Sequence, residues 1–600
     1  MDIYTTSILI SVLIYLFVGS YAGKKVKHLD DYFVVGRKAP TILIVGTLVA
    51  SVLSTNAFLG ETGFSYASQG GSYILWPATW VAGYIFGALF FGRYLRRSRV
   101  LTVAEFFGHR FNSKAVRRAA GITVVLGLGG YLLAVTQGTA VILTNLTPLN
   151  YEQALIASWF CYTFFTLYSG SRGVIITDTI MFLLFTIMSF VAFYYIIDLH
   201  GGWLTAFEGL INLESKPDLM SWHGQVGAGT EWQTPADYAI WSLITGIAWG
   251  LVTAVSPWQS SRYLMAKSEH VVVRSACIAA IVIAVSNLVL FAAATAVNLS
   301  KDDIFPFEQT MIYAAMNMMP AIVGGLLLAG IMAAALSSST TFLSLVGFSV
   351  SNDIIPSKQK SPEQADDKTL LRFSRIVMLV VSVVTLLISF VTVVDIFWLS
   401  NYVGTVFASS WGPIAFMSIW SKSITERGAY WGIISGFVGN IIPRFLDVSG
   451  IIDLPSYLNP ILVGCIISLI TIIVVSRLGQ VSDIEKQRRL ELHQMPTEEQ
   501  SKIQTKKTQW AGIAVIIFGL LLSTMLMIYY VYPYQKGTGT LLNNGNLDWF
   551  SAEALLALGW AAIYVPLGIL TYRIVNRSYT ANPKVNTDSE TSIEGEGSNA

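Results

Sequence analysis

The sequence predicts an all-α polytopic membrane protein of about fifteen transmembrane helices, and three observations predict it. Hydrophobic residues make up 54% of the 600 and charged residues only 12%, with a mean hydropathy of +0.58. A soluble domain carries about 25% charged residues, so half that share leaves too little polar surface to cover a body of this length in water. Apolar stretches of about 20 residues, enough to cross about 30 Å of hydrocarbon, recur from one end of the chain to the other. Lys and Arg gather in alternate connections, as cytoplasmic loops require.

Each span has a reason in the sequence. The first, 3–21, is preceded by no cation and followed by Lys24, Lys25 and Lys27, so it reads as a retained helix with its N-terminus outside. The second, 40–68, opens at Pro40 and turns polar midway. Span 71–94 runs into Arg93, Arg96, Arg97 and Arg99, and 119–143 emerges from Arg110, Lys114, Arg117 and Arg118. Spans 151–168 and 174–197 are parted by a connection holding Arg172. After 198–237, whose only Lys or Arg is Lys216, come 238–265, with Pro257 near its end, and 271–297. The stretch 308–350 is too long for one crossing, and Pro320 predicts a short surface helix leading into a spanning one. Spans 371–392, 396–421, 429–445, 458–476, 510–532 and 550–572 complete the series, with basic connections around Lys358, Lys360, Lys368 and Arg372 and from Lys486 to Lys507. The alternation holds with the N-terminus outside and the C-terminus inside. The charged loop 482–509 reads as a solvated connector able to form a short surface helix, and the acidic tail as disordered.

Several classes drop out. A net charge of +2 argues neither for nor against nucleic acid, because in a membrane chain what matters is where the charges sit. Cys161, Cys277 and Cys465 lie in apolar runs without a CxxC pair and read as small hydrophobes. No GxxxxGK[ST], HExxH or GxSxG occurs, which removes the usual signatures of an ATP-driven pump, a zinc protease and a serine hydrolase.

Four segments interrupt the apolar monotony. In 50–63, Ser51, Ser54, Thr55, Asn56, Glu61 and two glycines sit at membrane depth. Backbone can leave the helix there only where protein buries it or it lines a water-filled cavity, and an unwound turn frees carbonyl oxygens for a hard cation. Small polar residues also serve plain helix packing. In 330–342, hydroxyl residues run from Ser337 to Thr341; Ala334, Ser337 and Ser338 share a helical face, so one carbonyl and two hydroxyls can converge on sodium. Asp178 stands near the start of an otherwise apolar helix, as a functional carboxylate or as an interfacial cap beside Thr177. Pro257, with Ser256, Trp258 and Gln259 around it, marks a second interrupted helix or a simple kink.

Two interrupted helices of opposite orientation are what inverted-repeat transporters use to build a midplane site. A solute between them would meet Thr55, Asn56, Ser256, Trp258 and Gln259, with Tyr73 and Trp76 as walls. Glu61 keeps two readings: a partner for a cationic group, a proton or an ion, and a residue of the outer vestibule.

These residues resemble the sodium:solute symporter family, whose members carry proline, pantothenate, monocarboxylates, sugars and sialic acid. The likeness rests on Asp31-Tyr-Phe-Val-Val-Gly-Arg37, Leu101-Thr-Val-Ala-Glu-Phe-Phe-Gly-His-Arg-Phe111, Ser169-Gly-Ser-Arg-Gly-Val-Ile-Ile-Thr-Asp178, Gly201-Gly-Trp203, Gly330–Ser338 and Trp411-Gly-Pro413. It implies a LeuT-like fold of two five-helix inverted repeats, here 40–197 and 238–421. Around them lie an extra helix and loop in 1–39, an extracellular loop in 198–237, additional helices in 422–577 and the tail 578–600.

The resemblance also implies a sodium site made by carbonyls of Ala50, Leu53 and Ala334 with hydroxyls of Ser337 and Ser338. In some members a second site follows, here at Ser54, Asp178, Thr340 and Thr341. Ala57 stands where sugar carriers place a glutamine and Val52 where proline carriers place an aspartate, so neither substrate class is supported. The expectation is a non-enzymatic, sodium-coupled symporter in the plasma membrane that imports a small polar organic solute by alternating access. Sodium is its cofactor, and the solute and lipid bilayer are its partners, with no nucleic acid. The rivals are a proton-coupled carrier, which Glu61 and Asp178 would serve, and a membrane transceptor, for which no signalling domain follows the last helix.

Overall fold

The computed structural model describes residues 2–23, 29–355, 367–392 and 395–580. Lys24, Lys25, Lys27, Lys358, Lys360 and the tail from 581 lie outside the described residues, together with the expectations that rest on them. Among the described residues the regular structure is helical, apart from one isolated pairing between Ala39 and Ala266. Eleven helices among the described residues are long and apolar enough to cross a membrane, and a pair bent by 52°, Thr41–Val52 and Asn56–Ala67, adds a twelfth if counted as one span. Helices Ile396–Trp420 and Glu426–Val448 occupy two further expected segments.

The expected spans 151–168 and 174–197 follow one another directly within Tyr151–Leu199 and are divided at Gly170, whose φ of 56° and ψ of −172° are not helical. A Cβ on Gly170 would lie 2.3 Å from the Tyr32 ring, so both the backbone angle and the close approach require glycine. Helix starts follow local chemistry. Asn150 with Gln153, Thr234 with Asp237 and Ser482 with Glu485 form reciprocal capping boxes. Pro320 precedes Ala321–Phe348 and separates it from the short Thr310–Asn317 helix, as its position in the sequence predicts. The charged connector forms the helix Asp483–His493.

Helix faces divide by solvent. On Ile3–Gly23, Ile8, Val12 and Tyr15 are buried, while Leu13 and Phe17 are 63% and 73% exposed on the side that lipid covers. The last helix, Ala552–Thr580, is tied back to the body at its end. Arg97 donates from Nε and Nη2 to the two oxygens of buried Glu269, each at 2.8 Å, and Tyr579 donates to Glu269 Oε2 at 2.8 Å. Arg93 reaches Ser578 Oγ at 2.9 Å.

Candidate functional site

The first broken helix leaves α geometry at Leu53, whose φ of −74° and ψ of 71° end the Thr41–Val52 half. Ser54 Oγ accepts from Asn56 N at 3.1 Å and steadies the turn before the chain coils again from Asn56. The carbonyl end of the first half-helix therefore points into protein without helical continuation, where a cation is favoured. Packed against it is Ala321–Phe348, which presents the hydroxyl run. Ser337 Oγ lies 3.4 Å from Ala50 O, and the buried Ser338 hydroxyl has no hydrogen-bond partner. Ser339 and Thr340 instead donate to carbonyls of their own helix, Ala335 O at 2.9 Å and Ser337 O at 3.0 Å.

Proline makes the second break. Pro235–Val255 stops at Ser256 (φ −57°, ψ 147°), and Pro257 begins the new helix Pro257–Met265, where its missing N–H costs nothing. This brings Gln259 to the first break: Ser51 Oγ lies 3.3 Å from Gln259 Oε1, while Gln259 Nε2 is buried without a partner. It also carries Arg262 into the core. Arg262 Nη2 donates to Thr341 Oγ1 at 2.6 Å and lies 3.8 Å from Asp178 Oδ2. Asp178 is buried and further accepts from Thr47 Oγ1 at 2.6 Å and Ser337 Oγ at 2.7 Å. It is thus an interior carboxylate rather than an interfacial cap. Of the four positions expected for a second ion, Asp178 and Thr341 are joined by a guanidinium, and Ser54 and Thr340 serve backbone.

Beyond the first break lies a cavity in which the space between atoms amounts to about 720 Å³, part of it open to solvent. The first broken helix contributes Val52, Asn56 and Glu61, and the next helix Tyr73, Trp76 and Trp80. The second broken helix lines it with Tyr238, Trp241, Ser242, Thr245 and Trp249, and 396–420 with Phe397 and Asn401. Asn56 Nδ2 donates to Glu61 Oε1 at 3.0 Å. Gly60 lets this happen: a Cβ there would lie 2.5 Å from Asn56 Oδ1 and 3.2 Å from the Phe397 backbone. Trp232, from the 198–237 segment, packs on Trp241 with ring centroids 4.8 Å apart.

Of the residues expected around a solute, Asn56, Glu61, Tyr73 and Trp76 line this cavity, whereas Thr55, Ser256, Trp258 and Gln259 do not. Thr55 packs toward Gly138, and Ser256 joins the two halves of its helix. Trp258 is enclosed by Tyr131, Phe342 and Phe407, with centroids 5.7, 6.1 and 5.7 Å away, so its ring serves the core. The aromatic walls Trp80, Trp241 and Trp249 are not among the residues the sequence points to. Their signal was helical spacing: Trp76 and Trp80 are four apart, as are Trp241, Thr245 and Trp249 in succession.

The model of the sodium:solute symporter family matches residues 32–436. The sodium/pantothenate symporter of Escherichia coli (strain K12) is 24% identical over 484 residues, which covers 78% of this chain and 96% of that one. The sodium/proline symporter of the same strain is 24% identical over 516 residues, covering 81% and 96%. A solved structure of a substrate-bound, outward-open Na+-coupled sialic acid symporter shares the fold, with a TM-score of 0.68 at 20% identity over 80% of this chain and 99% of that one.

Proposed function

The chain belongs to the sodium:solute symporter family, and on that premise we propose which of its residues hold the ion and the solute. It is a multi-pass integral membrane protein that couples solute movement to sodium, and its relatives are transporters. In our reading Ala50, Leu53 and Ala334 offer carbonyl oxygens, and Ser337 and Ser338 hydroxyl oxygens, to a single sodium ion. The observation that carries this is the Ser338 hydroxyl: buried, without a partner, and next in sequence to Ser337, which reaches toward Ala50 O at the broken turn. Neutral oxygens hold sodium weakly enough to release it. We read the second position, at Ser54, Asp178, Thr340 and Thr341, as already compensated by Arg262, so that one sodium moves per cycle.

The solute, a small polar organic molecule, occupies the cavity beside Asn56, Glu61, Tyr73 and Trp76. Thr55, Ser256, Trp258 and Gln259 shape the two breaks behind it. About fifteen spans carry the chain from an outside N-terminus to an inside C-terminus. The LeuT-like repeats 40–197 and 238–421 would rock about the breaks to expose the cavity on alternate sides, with sodium tying the first broken helix to the hydroxyl helix.

Sodium binding tests the ion assignment without a known solute. Purified protein should be stabilised against heat by sodium and not by potassium at fixed pH and ionic strength. Ser338→Ala should raise the half-effective sodium concentration about tenfold, equivalent to about 1.4 kcal/mol of binding. An unchanged sodium response in that variant would rule the assignment out. Stabilisation that follows pH and ignores sodium would make the proton the coupling ion.

A further inference from the structure

Among the described residues that line the cavity, Glu61 is the only charged side chain. Its carboxylate accepts a hydrogen bond from Asn56 Nδ2, and among the described residues it pairs with no Lys, Arg or His. The basic groups nearby are engaged elsewhere. Arg262 holds Asp178 and Thr341, and Arg444, in an adjoining hollow that shares Trp241 and Asn401, pairs with Asp447 at 3.2 Å. Half-buried on the cavity wall with one neutral donor from the protein, this carboxylate is left facing the space with its charge uncompensated by any cationic side chain, and a positive charge is the complement it favours.

The walls indicate which kind of positive charge fits. Trp76, Trp80, Trp241 and Trp249 surround the space, with Tyr73 beside them. Two of the indole N–H groups are already used: Trp76 Nε1 donates to Trp222 O at 3.2 Å and Trp249 Nε1 to Asn401 Oδ1 at 2.7 Å. Those rings therefore offer a ligand π surface rather than a hydrogen-bond donor. The negative face of an aromatic ring attracts a weakly hydrated cation and repels an anion. A carboxylate solute would meet Glu61 and these faces with no cationic side chain in the lining to receive it. An alkylammonium group brings its own apolar surface to the indoles.

We propose that the transported solute is an organic cation, a compact protonated or quaternary amine, held with its positive end between Glu61 and the indole faces. This rests on the reading of the cavity as the solute site. Its test uses the full-length protein in lipid nanodiscs with sodium present, read by tryptophan fluorescence and thermal shift. Choline and its uncharged carbon analogue dimethylbutanol form a matched pair, and L-proline and pantothenate provide zwitterionic and anionic arms. Choline should bind at least roughly tenfold more tightly than dimethylbutanol. That gap should largely vanish in Glu61→Gln and return in Glu61→Asp. The sodium-induced thermal shift should stay at the wild-type concentration in both variants, which also reports that they fold.

Equal binding of the charged and uncharged analogues overturns the cation assignment. So does binding of proline or pantothenate alone, or failure of choline, tetramethylammonium and phenethylamine all to bind while the sodium response persists. A Glu61→Gln variant that needs more sodium overturns it too, by assigning Glu61 to the ion. If choline binds with the same preference in both Glu61→Gln and Trp80→Ala, the solute lies elsewhere and the cavity reading fails instead.

Discussion

Two acidic side chains of the interior, Asp178 and Glu61, sit in opposite circumstances. Asp178 is ringed by Thr47, Ser337 and the Arg262 guanidinium, all supplied by the protein from three other helices. Glu61 has Asn56 from its own helix and a wall of aromatic rings. Interior charge is costly unless it is paired and hydrogen-bonded. Where the chain furnishes the whole shell, the acid belongs to the architecture and organises the two breaks. Where the shell is left incomplete beside a cavity, the missing member comes from outside.

The largest effect that could break this contrast comes from Arg262. Arg262→Met leaves Asp178 buried without its countercharge, and removing one member of such a pair costs about 3–5 kcal/mol. Chemical or thermal unfolding of the purified protein should show that loss, and adding Asp178→Asn should recover much of it. If the two substitutions simply add, the pair is not a unit and the contrast falls.

A smaller effect belongs to the cavity side. Gly60→Ala forces Asn56 and the Phe397 backbone apart and should cost about 1–3 kcal/mol of stability. Its sharper signature is that the Asn56–Glu61 hydrogen bond is displaced, so choline affinity should fall while the sodium response holds. Retention of full choline affinity would show that the position of Asn56 is irrelevant to the cavity.

The smallest expected effect lies on the 198–237 segment. Lys216 Nζ donates to Tyr66 O at 3.0 Å and sits 3.8 Å from the centre of that ring, and burial holds its ammonium down to about 8 from the usual 10.5. The docked segment therefore binds this proton less readily than a released one. Docking is weakest below pH 8, where both forms are charged, and strengthens as pH rises toward 10.5. Limited proteolysis within 198–237 should be slower at about pH 9.5 than at about pH 7.5, and Lys216→Met should remove the difference. A rate that rises with pH in both proteins would contradict it.

Much of this arrangement was legible beforehand because its causes are local. Pro257 and Pro320 break helices wherever they stand, and Ala334, Ser337 and Ser338 share a face by helical geometry alone. Both readings of Asp178 could be weighed from the sequence, but choosing between them required packing. Nothing local in the sequence says that Pro257–Met265 turns inward and carries Arg262 to Thr341. Trp258, beside a break, reads from the sequence as a solute contact, although the rings that enclose it come from three distant helices. The aromatic walls showed the opposite failing: their helical spacing was present, but the same spacing is ordinary core packing until a cavity is seen beside it.

The guanidinium next to Asp178 has an electrical consequence. A covalently attached charge travels only as far as its helix rocks, whereas a diffusible ion crosses the whole field. With Arg262 in the second position, a turnover carrying one sodium and one singly charged amine moves two positive charges inward. Each gains about 2.3 kcal/mol per 100 mV, so the voltage contributes about 4.6 kcal/mol per cycle, half of it through the cargo itself. Transport currents should then scale as two charges per solute molecule, and depolarisation alone should collapse most of the accumulation.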